Sequence, residues 1–99
     1  MATNFYELAQ KVETKSDFIR FLVALKEDRE DKVRKERESP SSPYGPGANG
    51  WENGSIEAFL DSAAAWADTT NAITKKLSVP EEPSWRSFAM ILLAGKDYE

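Results

Sequence analysis

The sequence predicts one small all-α domain of about four helices, and three observations predict it. Apolar residues recur at i, i+3, i+4 and i+7 in the first 25 residues and again after residue 55. Each main run starts behind a residue able to cap a helix: Thr14, Ser55 or Ser84. No stretch sustains the period-two alternation a strand needs, and no Asn-Gly pair sits between two apolar runs. The 99 residues read as a single domain over 1–99. A chain of that length buries roughly 65% of its unfolded surface, enough for a modest core.

The first element is a short helix capped by Thr3 or Asn4 and carrying Phe5, Leu8, Ala9 and Val12. Thr14-Lys15-Ser16-Asp17 then has the form of a capping box. Behind it Phe18, Phe21, Leu22 and Leu25 make one face. Ile19 and Val23 widen that face, as in a helix packed on more than one side. Twelve of the 13 residues from Lys26 to Glu38 are charged, six basic and six acidic. Asp28–Lys32 and Asp31–Lys35 have the favourable acid-before-base spacing, so this run reads as a solvated extension of the helix.

Residues 39–54 contain three of the five prolines and four of the five glycines. Proline lacks the helical donor and glycine costs backbone entropy, so this segment is an irregular or flexible loop. A loop of that length in a small domain is either disordered or functional. Trp51 near its end is expected to fold back on the core and anchor it.

Ser55 caps the third helix, with Glu57 in the first turn where the helix dipole favours an acid. Ile56, Phe59, Leu60, Ala63, Trp66, Ala67, Ile73 and Leu77 are expected on one side. Glu57, Asp61 and Asp68 fall on the other within about 40° of each other. Pro80-Glu81-Glu82-Pro83 ends that helix and Ser84 caps the last one. There Trp85, Phe88, Ala89 and Leu92 are expected in the core. Met90, Ile91, Leu93 and Ala94 cover much of the remaining surface, as in a central helix or one buried in an interface. Gly95 reads as a C-terminal cap.

The second half carries a run of short motifs: Trp51-Glu52-Asn53, Phe59-Leu60, Ala65-Trp66, Pro83-Ser84-Trp85, Leu92-Leu93-Ala94 and Tyr98-Glu99. In this order the chain resembles, over roughly residues 18–99, a family of small bacterial proteins of unknown function. The resemblance implies an α-helical fold and no particular activity. The charged and Pro/Gly-rich insert at residues 32–50 is outside the shared pattern.

Composition narrows the chemistry. The chain has no cysteine and no histidine. Disulfides, thiolate nucleophiles, zinc–sulfur sites and Ser-His-Asp machinery are therefore unavailable within one chain. The expectation is a non-enzymatic protein needing no cofactor and no metal. Residues 1–50 balance nine bases against nine acids, whereas residues 51–99 have four bases and eight acids and so carry the whole net charge of −4. No strongly basic face is available for nucleic acid. No apolar run reaches the roughly 18–20 residues of a membrane span. Met1-Ala2-Thr3-Asn4-Phe5 lacks the basic and apolar regions of a signal peptide. These features point to a soluble cytoplasmic protein.

The expected function is a protein-interaction module that masks a basic partner through an acidic surface, as immunity proteins and small inhibitors do. The contact residues expected are Trp51, Glu57, Asp61 and Asp68. Each also has a plainer explanation: Trp51 as a core anchor, the three acids as the solvated face of a helix. A carboxylate-based metal-binding or enzymatic protein, with Asp17 or Asp28 meeting Asp61, is one alternative. A self-associating structural homodimer is the other.

Overall fold

The computed structural model describes residues 4–41, 47–68 and 83–98. Among them are four α-helices, α1 (Phe5–Gln10), α2 (Lys15–Glu38), α3 (Ile56–Ala67) and α4 (Trp85–Asp97), one 3-10 turn at Ala48–Gly50, and no strand. The all-α expectation holds. The expected continuation of α3 to Ile73 and Leu77, and Pro80-Glu81-Glu82, lie outside the described residues.

Local chemistry sets the helix starts. The Asn4 side chain accepts from the Glu7 N–H and opens α1. The capping box before α2 is complete: the Thr14 hydroxyl accepts from the Asp17 N–H, and the Asp17 carboxylate accepts from the N–H groups of Glu13 and Thr14. Ser55 and Ser84 cap α3 and α4 in the same way, through the Ala58 and Ser87 N–H groups. Each side-chain cap satisfies a donor the helix cannot.

α4 is the central helix and packs on the other three. The core gathers Phe5, Ala9 and Val12 around α1, Phe21 and Leu25 of α2, Trp51 of the loop, and Ala89 and Leu93 of α4. Phe5 meets Phe21 edge-on at 6.2 Å. The C-terminal end of α1 is closed from α4, where the Arg86 Nε–H donates to the Gln10 carbonyl.

Several faces differ from expectation. Ile56 and Leu60 are exposed, because α3 packs chiefly on α4 and presents only its Phe59–Ala63–Trp66 side to it. Ile19, Leu22 and Val23 are exposed for the corresponding reason: α1 and α4 cover the Phe21–Leu25 side of α2 and leave the neighbouring stripe bare. Trp85 and Phe88 lie at the core's edge, where they pack on Phe18 with centroids 5.5 and 6.2 Å away. Ala89 is buried and Leu92 packs against the core as expected, and the buried side of α4 also takes in Ser87, Leu93, Ala94, Gly95 and Lys96.

Gly95 is not a terminal cap, since α4 runs on to Asp97 and ends at Tyr98. It is small because Phe59 comes close: a Cβ there would lie 2.8 Å from the nearest ring carbon. Gly95→Ala therefore sets two effects against each other. Alanine gains about 1 kcal/mol of helix propensity. Overpacking costs typically 1–3 kcal/mol, and the Phe59 ring is already stacked against Trp51. The expected result is a net loss of about 1 kcal/mol in urea unfolding. A more stable variant would show that the ring gives way freely.

Candidate functional site

The charged half of α2 is not simply solvated. Phe21, Leu25 and Asp28 follow one another at i, i+4 and i+7, so Asp28 continues the buried face of α2. Its carboxylate does not pair with Lys32 along the helix as expected. Oδ2 accepts from Lys96 Nζ at 2.8 Å and from the Trp51 indole N–H at 2.8 Å. The Lys96 side chain is only 9% exposed and that of Asp28 16%. The Lys96 ammonium also lies 4.6 Å from the Phe5 ring centroid and 5.5 Å from that of Trp51. One carboxylate thus joins α2, the loop and α4.

The loop is fastened along its length. Asn49, at φ 60°, donates through Nδ2 to the Asp28 carbonyl and the Asp31 carboxylate, while its Oδ1 accepts from Lys35 Nζ. Lys35 also pairs with Asp31 at 2.9 Å, which is the expected i, i+4 pair. Asn53 Nδ2 donates to the carbonyls of Gly95 and Tyr98, closing the end of α4. The Glu52 N–H donates to the Lys96 carbonyl. Arg29 lies over the Trp51 ring at 5.0 Å and donates to the carbonyls of Asn53 and Gly54. Gly47 must lack a side chain, since a Cβ would sit 2.9 Å from the Trp51 carbonyl.

Two carboxylates of this belt are held well into their charged form. The Asp31 pKa is lowered by hydrogen bonds from Asn49, Lys35 and Arg34. That of Glu36 falls to about 2, chiefly through the Ser41 hydroxyl and N–H, with the Ala48 N–H adding to them. A carboxylate whose folded pKa is depressed stabilises the fold above its unfolded pKa and loses that contribution as the pH drops towards the folded one. The Glu36 contacts should therefore hold above pH 4.5 and weaken between pH 4.5 and about 2. Amide exchange at Ser41 and Ala48 should speed up over that interval, beyond its intrinsic pH dependence, in the native chain and not in Glu36→Gln. Equal profiles in the two proteins would remove the assignment.

Trp51 anchors the loop as expected. It is 6% exposed, so it can offer a partner only the edge that lines a cleft. Glu57, Asp61 and Asp68 are all exposed on the outward side of α3. The acids of the carboxylate alternative have other partners: Asp17 is in the capping box and 2.6 Å from Arg20, and Asp28 is held by Lys96 and Trp51. Among the described residues no three acids gather where a metal ion could bind.

Two hollows border the Trp51–Lys96 centre. A cleft of about 380 Å³ runs between α2 and α3, with Leu25, Trp51, Phe59 and Leu92 among its lining residues. A second cavity of about 420 Å³ touches Lys96 between Phe5, Trp66, Met90 and Tyr98. Sequence reasoning named Asp28 as a partner of Lys32 or of Asp61 and missed its pairing with Lys96 and Trp51, as it missed the role of Asn53. The signal for Asp28 is its place in the register of Phe21 and Leu25. For Lys96 it is a lone base after the apolar run Met90–Ala94.

These features define a class: a small all-helical domain whose central loop is stapled to two helices through a buried ion pair. Residues 14–99 match a family of unknown function (DUF7660), and the chain belongs to that family. No curated protein and no solved structure matches the chain. No helix among the described residues is long and apolar enough to cross a membrane.

Proposed function

We propose that the chain is a non-enzymatic, cytoplasmic protein-interaction module that masks a partner's surface with the free side of α3. The observation that carries this reading is the state of that helix. Ile56 and Leu60 are 77% and 59% exposed, beside the exposed acids Glu57 and Asp61. The helix has no basic residue, and Asp68 at its C-cap adds a third acid. A partner with a basic rim around an apolar patch fits such a surface. The acids steer its approach, and the two apolar side chains supply area removed from water.

The reading needs no cofactor and no nucleic acid. The bases of α2 are largely committed to neighbours: Arg34 to Asp31 and Glu38, Lys35 to Asp31, Lys26 to Glu30. The test is quantitative capture from native lysate by the immobilised full chain. Glu57/Asp61/Asp68→Ala and Ile56/Leu60→Ser should each reduce the captured partner about tenfold, the equivalent of about 1.4 kcal/mol. Capture unchanged by both variants would overturn the reading.

A further inference from the structure

We infer that the cavity between the start of α1, the end of α3 and the end of α4 is a binding site for a small organic ammonium, held by the Asp97 carboxylate and the aromatic rings around it. The cavity measures about 420 Å³. Small-molecule sites run from roughly 300 to 1,000 Å³. Asp97 lines it and is placed against local chemistry. It is the last residue of α4, the end at which the helix dipole favours a base. The base of that turn, Lys96, is committed to Asp28 at 2.8 Å. Among the described residues Asp97 makes no ion pair, and the donor its carboxylate meets is its own backbone N–H. The side chains around it raise its carboxyl above the ordinary value, an effect larger than the opposing one of Lys96. An acid disfavoured by its helix end, by local desolvation and by the lack of a partner gains most from a cation supplied from outside.

The walls select the kind of cation. Tyr6, Trp66 and Tyr98 line the cavity. None of the three stacks on another ring among the described residues. Tyr6 is 53% exposed, and Trp66 and Tyr98 are half-buried. The negative face of an aromatic ring attracts a cation within about 6 Å. One wall already shows this, with Lys96 Nζ 4.6 Å from the Phe5 centroid. Asp28 neutralises that ammonium, so Asp97 is the charge left over in the lining. A metal ion is a poor occupant: a hard cation wants several oxygens, and no three acids gather among the described residues. An ammonium on an apolar body meets the carboxylate with its charge and the rings with its body.

Glu57 and Asp61 are not in this lining, so the site is independent of the contact surface on α3. The test is a magnetic-resonance titration of the full isotope-labelled chain with benzylammonium chloride, at ionic strength matched with sodium chloride. It should give saturable shifts at the Trp66 indole N–H and at the backbone of Tyr6, Asp97 and Tyr98. Asp97→Asn should keep or raise the thermal midpoint, because an acid leaves the C-terminal turn, and should weaken binding about tenfold. Tyr6→Leu, at an exposed position, should weaken it about threefold. Benzyl alcohol, which has a similar shape without the charge, should bind about tenfold more weakly than the ammonium. Glu57/Asp61→Ala should bind as the native chain does. Unmoved resonances at the cavity residues overturn the inference, as does an alcohol that binds as tightly as the ammonium. An Asp97→Asn protein that keeps its helical circular dichroism and binds like the native chain overturns it too. So does a Glu57/Asp61→Ala protein that loses as much affinity as Asp97→Asn, since the binding then follows net charge and not the cavity.

Discussion

Lys96→Met is expected to lower the thermal midpoint by roughly 15 °C. The substitution keeps most of the aliphatic volume and removes the ammonium, leaving the Asp28 carboxylate 16% exposed with the Trp51 N–H as its remaining side-chain donor. Taking one partner from a buried ion pair costs about 3–5 kcal/mol, since the other charge stays out of water without compensation. In a domain of this size each kcal/mol moves the midpoint by about 4–8 °C. Asp28→Asn should cost a similar amount, because Lys96 is then stranded beside Phe5 and Trp51. The double variant is the sharper measurement. With both charges gone, the desolvation penalty is removed too, so Asp28→Asn/Lys96→Met should be milder than the two single losses combined. Strict additivity, or single losses under about 1 kcal/mol in urea unfolding, would mean that the pair is not the staple described.

Trp51→Ala should be comparably severe, at about 3–5 kcal/mol, as for other large aromatic side chains removed from a core. The indole contacts Phe59, lies near the Arg29 and Lys96 cations, and donates to Asp28. Its removal takes the apolar anchor from residues 47–54 and leaves the loop held by the hydrogen bonds of Asn49, Glu52 and Asn53. Trp51→Phe separates area from hydrogen bonding: the ring largely remains and only the indole donor is lost, which costs about 1 kcal/mol. The two losses should be visible in chemical unfolding. Amide exchange should localise the damage to Gly47 and Trp51, whose N–H groups are bonded within the loop, and to Glu52, whose N–H donates to the Lys96 carbonyl of α4. A Trp51→Ala protein within about 1 kcal/mol of the native chain would refute the anchor. Trp51 and Asp28 share a hydrogen bond, so their losses should not add.

Helix positions were legible because they rest on local chemistry. Thr14 with Asp17, and Ser55 and Ser84, meet backbone donors three residues on, whatever the rest of the chain does. The loop was legible because Pro and Gly forbid alternatives, and Trp51 because a large apolar ring beside polar neighbours has one favourable destination. The outward placement of Glu57 and Asp61 followed from helical spacing alone. What spacing could not say is whether an apolar stripe has a neighbour. Ile56 and Leu60 lie beside the same face as Phe59 and Ala63, yet Phe59 packs on Gly95 of α4 and Ala63 is buried while Ile56 and Leu60 stay exposed. Gly95 has the composition of a cap and the position of a contact.

By itself, then, the amino-acid order determined four capped helices, a central irregular segment, an acidic outward face and the absence of thiol and imidazole chemistry. Those properties are set within a few residues of one another or by composition. Tertiary structure alone decided that Asp28 serves Lys96, 68 positions away, instead of Lys32, and that Asn53 closes the end of α4. It also decided that α2 and α3 leave a cleft between them. The physical reason is desolvation. A charge seeks its nearest helical neighbour only while water screens it, and once packing removes the water, the partner is whichever opposite charge the fold has brought within hydrogen-bond reach.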